Sequence, residues 1–300
     1  DDCYLNSEVS NTICKNNNIG LKAEAWGNSS TGKATVSIYS SEFSNNQNNG
    51  LYIQGSGYTS GFSVPLHKSA YVNFTMKNSV VSGNGNYAIY LNSSGYSDSD
   101  YTPTAHRYGY VDFYSFNNLI FNNGKGIFAK KRDKTHCTMD AYFSNTIFWN
   151  NEHLLEMDAN NIFFYNTILW DNTLTTEPSG ICDSLVFQNC NINKMTIPYL
   201  GTNNINDDPL YLYPENGNFQ LTKSSPCIDA GSNIYVDFNK DFNEQVRIWD
   251  GNADGIATVD IGAFEYNSPC NYVNDEVEIC EGENYKGKDT SGMYRFICQN

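Results

Sequence analysis

Asn145-Thr146-Ile147-Phe148-Trp149-Asn150-Asn151 returns almost letter for letter as Asn166-Thr167-Ile168-Leu169-Trp170-Asp171-Asn172, 21 residues further on. A fixed period of this length marks a chain built from stacked repeats, each too small to bury its own apolar face. A looser pattern runs Asn or Ser, a variable residue, a small or apolar one, an apolar one, two variable positions, then Asn. It also fits the stretches starting at Asn11, Ser40, Asn78 and Asn117, with a weaker copy at Asn189. The start-to-start intervals are 29, 38, 39, 28, 21 and 23 residues. The shortest hold one coil of three short strands and three turns. The longer ones contain the Gly-, Ser-, Tyr- or charge-rich stretches 57–65, 93–107 and 130–136, which break the alternation as loops leaving a scaffold do.

Around each copy apolar and polar residues alternate, as they do along a half-buried strand. Ala34-Thr35-Val36-Ser37-Ile38-Tyr39 and Tyr71-Val72-Asn73-Phe74-Thr75-Met76 precede copies, and Gly50-Leu51-Tyr52-Ile53-Gln54 follows one. A propeller blade needs about 40 residues, which excludes intervals of 21 and 23. The expected fold is therefore all-β, a single-stranded parallel β-helix. In such a stack like residues lie over like, so Asn78, Asn117, Asn145, Asn166 and Asn189, preceded by Asn11 and Ser40, are expected to form an amide ladder that satisfies buried turn backbone. Ile147 and Ile168 are expected to face away from the residues that follow them. Trp149 and Trp170 fall at the same place in successive coils, as a core or covered-sheet pair.

Composition narrows the partners. The formal charge is -15, from 33 acidic against 18 basic residues, which excludes the basic footprint a nucleic acid requires. No apolar run is long enough to span a membrane. Nine cysteines among abundant Asn, Ser, Gly and Tyr suit an oxidising, extracellular setting. No Cys-x-x-Cys pairs suggest zinc. Sequence alone cannot fix the pairing; Cys280 with Cys298 and Cys182 with Cys190 are the expected bridges, and free buried thiols are the alternative.

The repeats resemble those of right-handed parallel β-helices in secreted bacterial proteins, in the version found in polymorphic outer-membrane proteins and Bacteroidetes surface proteins. The tail is more specific: Asn218-Phe219-Gln220-Leu221, then Ser225-Pro226-Cys227-Ile228-Asp229-Ala230-Gly231, Arg247, and Val259-Asp260-Ile261-Gly262-Ala263-Phe264-Glu265-Tyr266. It is similar to the C-terminal part of the choice-of-anchor Q family. The resemblance implies an extracellular β-helix over residues 1–266 with a C-terminal cap at about 200–266, and no particular reaction. Residues 267–300 resemble a linker and the opening of an immunoglobulin-like module, a partial β-sandwich. The chain is thus expected to be a piece of a larger multidomain protein and to work beside its further domains.

Within the tail, Asp250-Gly251-Asn252-Ala253-Asp254-Gly255 reads like the first half of a calcium loop, with oxygen ligands at alternate positions and Gly at the sixth. The twelfth position is Ile261, and Asp260 sits one place early. The candidate metal set is therefore Asp250, Asn252, Asp254 and Asp260, with calcium as the ion. Against it stands an ordinary Asp/Gly turn, with Asp260 paired to Arg247.

For ligand binding, Lys130, Lys131 and Arg132 form part of the one basic patch of an acidic chain. They sit on an insertion that would clamp an anionic sugar, while a solvated loop is the plainer reading. His106 and Arg107 lie in the preceding insertion. Tyr96 and Tyr101 belong to a set of loop and strand tyrosines that includes Tyr58, Tyr108 and Tyr110, whose rings would give platforms for sugars. Asp112 and Asp140 each precede the repeat by five residues, which places them on adjacent coils with the separation a retaining glycosidase uses. Glu156 and Asp158 complete that acidic set. The expectation is an extracellular adhesion or glycan-binding module taking a polysaccharide or cell-surface glycan. A polysaccharide lyase or hydrolase with its site near residues 93–136, and a purely structural stalk, are the alternatives.

Overall fold

Residues 3–27, 31–57, 68–95, 107–132, 137–173, 182–194 and 198–268 are described by a computed structural model. Its strands stack into three parallel sheets of seven, seven and five. The first holds Cys3–Ser10, Gly32–Tyr39, Lys68–Lys77, Arg107–Phe116, Cys137–Ser144, Asn161–Tyr165 and Ser184–Gln188. The second holds the short strands Ile13–Lys15, Glu42–Ser44, Val80–Ser82, Leu119–Phe121, Ile147–Trp149, Ile168–Trp170 and Asn191–Ile192. Leu21–Gly27, Leu51–Gly57, Tyr87–Ser94, Lys125–Lys131 and Leu155–Asp158 make the third. Each strand pairs with the equivalent strand one coil on, so the chain is a parallel β-helix. Alternation decides which residues turn inward. Val72, Phe74 and Met76 are buried while Tyr71, Asn73 and Thr75 face out. Along the axis an inward file of Phe113, Phe143, Phe164 and Phe187 stacks at centroid distances of 5.6, 4.9 and 4.7 Å.

The seven-residue repeat is the second-sheet strand with a turn at each end, and its Asn positions divide the work. First-position residues all sit at left-handed φ: Asn11 at 48°, Ser40 at 45°, Asn78 at 48°, Asn117 at 52°, Asn145 at 49°, Asn166 at 46° and Asn189 at 53°. Asn tolerates that region better than other residues with a Cβ. The sixth position repeats the geometry in Asn16, Asn45, Gly83, Asn122, Asn150, Asp171 and Lys194. The amide ladder forms one place further on, at the seventh position, and not at the first. Asn46, Asn84, Asn123 and Asn151 each donate Nδ2–H to the Oδ1 of the next Asn, ending at Asn172, over 2.8 to 2.9 Å. Their second Nδ2–H bonds go to carbonyls of the preceding coil, such as Val81 and Ile120. Only the seventh-position side chain turns inward, where turn backbone would otherwise be unpaired.

The second position carries a parallel file of short polar groups. Thr12, Ser41, Ser79, Thr146 and Thr167 each donate a hydroxyl hydrogen to the carbonyl two residues back. Cys190 occupies this place in the last copy, with Sγ 3.4 Å from the Gln188 carbonyl. Cys182 and Cys190 are therefore not bridged, contrary to the sequence expectation; both are free thiols. They flank the extended strand Ser184–Gln188, which alone spans about 13 Å, beyond the ~7 Å limit of a disulfide. Cys280 and Cys298 lie outside the described residues, as does all of the 269–300 segment.

After a last partial turn, bridged at Val186 to Leu200 and Asn191 to Ile205, the chain leaves the coil and lies along the outer side of the second sheet. This strap closes a second apolar core. Leu119, Ile147, Trp149 and Ile168 point out of the coils and are covered by Phe219, Leu221, Cys227, Ile261, Ala263 and Phe264. Their neighbours Ile120, Phe148 and Leu169 point into the main core, as the alternation predicts. Trp149 and Trp170 are register partners under this cover. Gly262 lies against Ile168 at a φ of 108°, a conformation that favours glycine.

The first-position asparagines fasten the strap. Asn166 exchanges two hydrogen bonds with the Ser232 backbone at 3.0 and 2.8 Å. Asn117 donates to the Lys240 carbonyl at 2.8 Å and Asn78 to Glu244 Oε1 at 2.9 Å. Tyr235 stacks on Tyr165 at 4.2 Å, and Phe238 meets Phe116 edge-on.

Candidate functional site

The strap covers the second sheet and leaves the outward faces of the first and third sheets open among the described residues, and the first, with seven strands against five, is the broader. Three rows run along its axis. One contains Tyr71 and Tyr110, register partners whose rings stack at 4.4 Å and 2°. The central row is Asn73, Asp112, Asp140 and Asn161, each the register partner of the next. The third contains Tyr114, Tyr142 and Phe163, stacked at 5.1 and 5.0 Å. Stranded order gives all three rows the coil spacing of about 4.8 Å.

The stacking changes what the tyrosines offer. Rings packed face to face at 4.4 to 5.1 Å spend their faces on one another, so the columns present edges and hydroxyls in place of flat platforms. Burial pushes the hydroxyl pKa of Tyr114 and Tyr142 up, and the charges of Asp112 and Asp140 add to it. Both therefore remain protonated donors.

The two aspartates are not equivalent. Asp140 Oδ1 accepts from the Asn161 backbone N–H at 3.1 Å and from its Nδ2–H at 2.7 Å. Asp112 has its carboxyl pKa raised, first by partial burial and then by the neighbouring Asp140 charge. None of the ion pairs among the described residues includes either aspartate.

Of the binding residues named from sequence, Tyr96, Tyr101 and His106 lie outside the described residues, and only the backbone of Arg107 is described, opening the strand Arg107–Phe116. Lys130 and Lys131 fall on opposite faces of one strand. Lys130 is exposed, opposite Asp158 in register, beside a shallow depression lined by Phe128, Glu156 and Asp158. Lys131 is 4% exposed and its Nζ lies 3.4 Å from Asp183. Arg132 is exposed. The patch is thus divided between two faces and met by acids. Glu156 is likewise engaged, accepting from the Tyr87 hydroxyl, with Lys125 Nζ 3.8 Å away. Sequence reasoning named Tyr110, Asp112 and Asp140 but missed Tyr71, Asn73, Tyr142 and Asn161; strand alternation applied to every coil would have put them on the same face.

Asp250, Asn252 and Asp260 of the expected metal set each accept from backbone N–H groups. Asp250 accepts from the N–H groups of Asp254 and Gly255, and Asn252 Oδ1 from that of Asp254, so the exposed turn closes on its own backbone. Asp260 is 1% exposed and accepts from the N–H groups of Asp229 and Tyr266 at 2.7 and 2.6 Å. Nor does its carboxylate pair with Arg247, whose NH1 lies 3.2 Å from Glu265 while NH2 reaches the Gly262 carbonyl. Among the described residues no group of three or more His, Cys, Asp or Glu has an arrangement able to hold a metal ion. No described helix is long and apolar enough to cross a membrane. No protein-family model, curated protein or solved structure matches the chain.

Proposed function

We propose that this chain is a glycan-binding module of an extracellular or cell-surface protein, with the open face of the first sheet as its binding surface. The observation that carries the reading is the Asn73-Asp112-Asp140-Asn161 row set between two tyrosine columns, since sugars are recognised by dense, fixed arrays of donors and acceptors. The array is held on rigid strands, so little ordering cost attends binding. The likeness of the tail to choice-of-anchor Q proteins supports the extracellular setting. Calorimetry against a panel of neutral, basic and acidic oligosaccharides tests the reading. Tyr110→Ala with Tyr142→Ala is expected to weaken binding by about tenfold or more, and full retention of affinity would overturn it.

A hydrolase is the second reading, favoured by one observation. Asp112 and Asp140 stand one rung apart, about 4.8 Å, and their surroundings differ in the sense that separates an acid from a nucleophile. In that case Asp112 would protonate the leaving oxygen and Asp140 attack the anomeric carbon. New reducing ends, lost in Asp112→Asn, distinguish it from binding alone.

A further inference from the structure

We infer that the ligand of this face is an unbranched amino-sugar chain, cationic at each unit, lying parallel to the solenoid axis with one sugar per coil. The inference rests on the reading of this face as a glycan site, and names the class of glycan.

The first argument is periodicity. Asn73, Asp112, Asp140 and Asn161 repeat the same outward position on four successive coils at a step of about 4.8 Å. In an extended β-1,4-linked chain each pyranose with its glycosidic oxygen advances by roughly the same step. A chain running along the row therefore meets an equivalent polar group at each unit, and meets tyrosine hydroxyls from Tyr71 and Tyr110 on one side and Tyr114 and Tyr142 on the other. A chain running across the strands would meet each row only once.

The second argument is charge. Four acids elsewhere on the coils are met by cations: Glu42 by Lys15, Glu24 by Lys22, Glu156 by Lys125 and Asp183 by Lys131, while Glu8 and Asp158 are in none of the ion pairs among the described residues. Asp112 and Asp140 lie side by side with no such partner among the described residues, and like charges on adjacent rungs cost free energy that a shared cation recovers. Partial burial first, and the Asp140 charge second, raise the Asp112 pKa. An anionic chain would place a third negative charge beside these two, and a neutral one would leave the pair as it is. A protonated amine set between the two rungs answers both carboxylates. The tyrosine edges, whose faces are already stacked, supply hydroxyl partners for the remaining ring oxygens.

Calorimetry at pH 6 tests this with glucosamine oligomers of two to six units, N-acetylglucosamine oligomers of the same lengths, oligogalacturonate and a lysine hexapeptide. Glucosamine oligomers are expected to bind about tenfold or more tighter than the acetylated ones, with affinity rising to four units and falling as salt is added. Asp112→Asn with Asp140→Asn, which keeps the oxygen that accepts from Asn161, is expected to abolish that preference, bringing the two series to equal affinity. Equal affinity for both series, an unaltered preference in the double variant, or equally tight binding of the lysine peptide overturns the inference and leaves the glycan site standing. Absence of binding by every glycan overturns both.

Discussion

The coils and the strap solve the same problem, pairing buried backbone, by opposite means. In the coils the backbone pairs with backbone at every rung, and side chains are needed only at the turns, where they repeat as files: a hydroxyl file at the second position and an amide file at the seventh. In the strap the backbone is irregular, and buried side chains take over. Asp241 accepts from the N–H groups of Asn243, Gln245 and Glu265, and Asp260 from those of Asp229 and Tyr266. A periodic backbone spreads its stability over many equal bonds, whereas an irregular one concentrates it in a few charged residues. The strap is therefore the brittle half.

The sharpest way to break this contrast is at Arg247, which is fully buried among Asp241, Asp260 and Glu265. Arg247→Ala removes the single cation of that group, and loss of one partner of a buried pair typically costs about 3–5 kcal/mol. The strap is expected to become protease-sensitive while circular dichroism of the coils persists. If both unfold together, the two halves form one cooperative unit.

Next in size is a matched pair of asparagines. Asn123→Ala, in the amide ladder, leaves the Asn84 amide and N–H without their acceptor and is expected to cost about 2–3 kcal/mol in urea unfolding. Asn166→Ala, in the fastening file, loses two bonds to the part-buried Ser232 backbone and a side chain suited to φ of 46°, for about 1–2 kcal/mol. The first should lower coil stability and the second chiefly strap protection in hydrogen exchange. The reverse assignment would mean that the two files have been mistaken for one another.

The remaining expected effect is that of pH. Burial raises the Asp241 pKa to about 6 and the Asp260 pKa to about 7, against an ordinary value of 3.8. The folded strap thus holds protons that the unfolded chain releases, so their stabilisation is complete below about pH 4 and is lost as pH rises through 6 and 7. Hydrogen exchange in residues 229–266, corrected for its intrinsic pH dependence, should show greater strap protection at pH 5 than at pH 8. Equal protection would mean that Arg247 and the backbone donors keep these carboxylates ionised.

Much of the body was legible because a repeat declares its own register. Once Asn145 and Asn166 are aligned, the inward and outward residues of every coil follow from alternation. What failed was the choice of ladder. First- and seventh-position asparagines look alike in sequence, and which one turns inward depends on the left-handed residues around it. Cys182 and Cys190 misled for a similar reason, since eight residues look close until an extended strand is placed between them. The strap was recognisable as a tail motif, but its resting place was not, because contacts such as Asn78 to Glu244 span 166 residues. One signal did exist: Ile147, Trp149 and Ile168 leave the second sheet with an apolar outer face, and the tail offers Phe219, Leu221, Ile261 and Phe264 with no coil of their own. The candidate site was half visible, through Tyr110, Asp112 and Asp140; the mutual stacking that turns rings into hydroxyl rows needs coil register in three dimensions.

From Ser232 to Glu244 the strap climbs the stack, touching Asn166, then Asn117, then Asn78. It acts as a gauge. Solenoids lengthen readily, because a duplicated 21-residue unit finds the same hydrogen bonds above and below it. Here a duplicated coil would satisfy its neighbours and still throw every fastening beyond it out of step, so the strap confines a fold that tolerates any length to one number of coils.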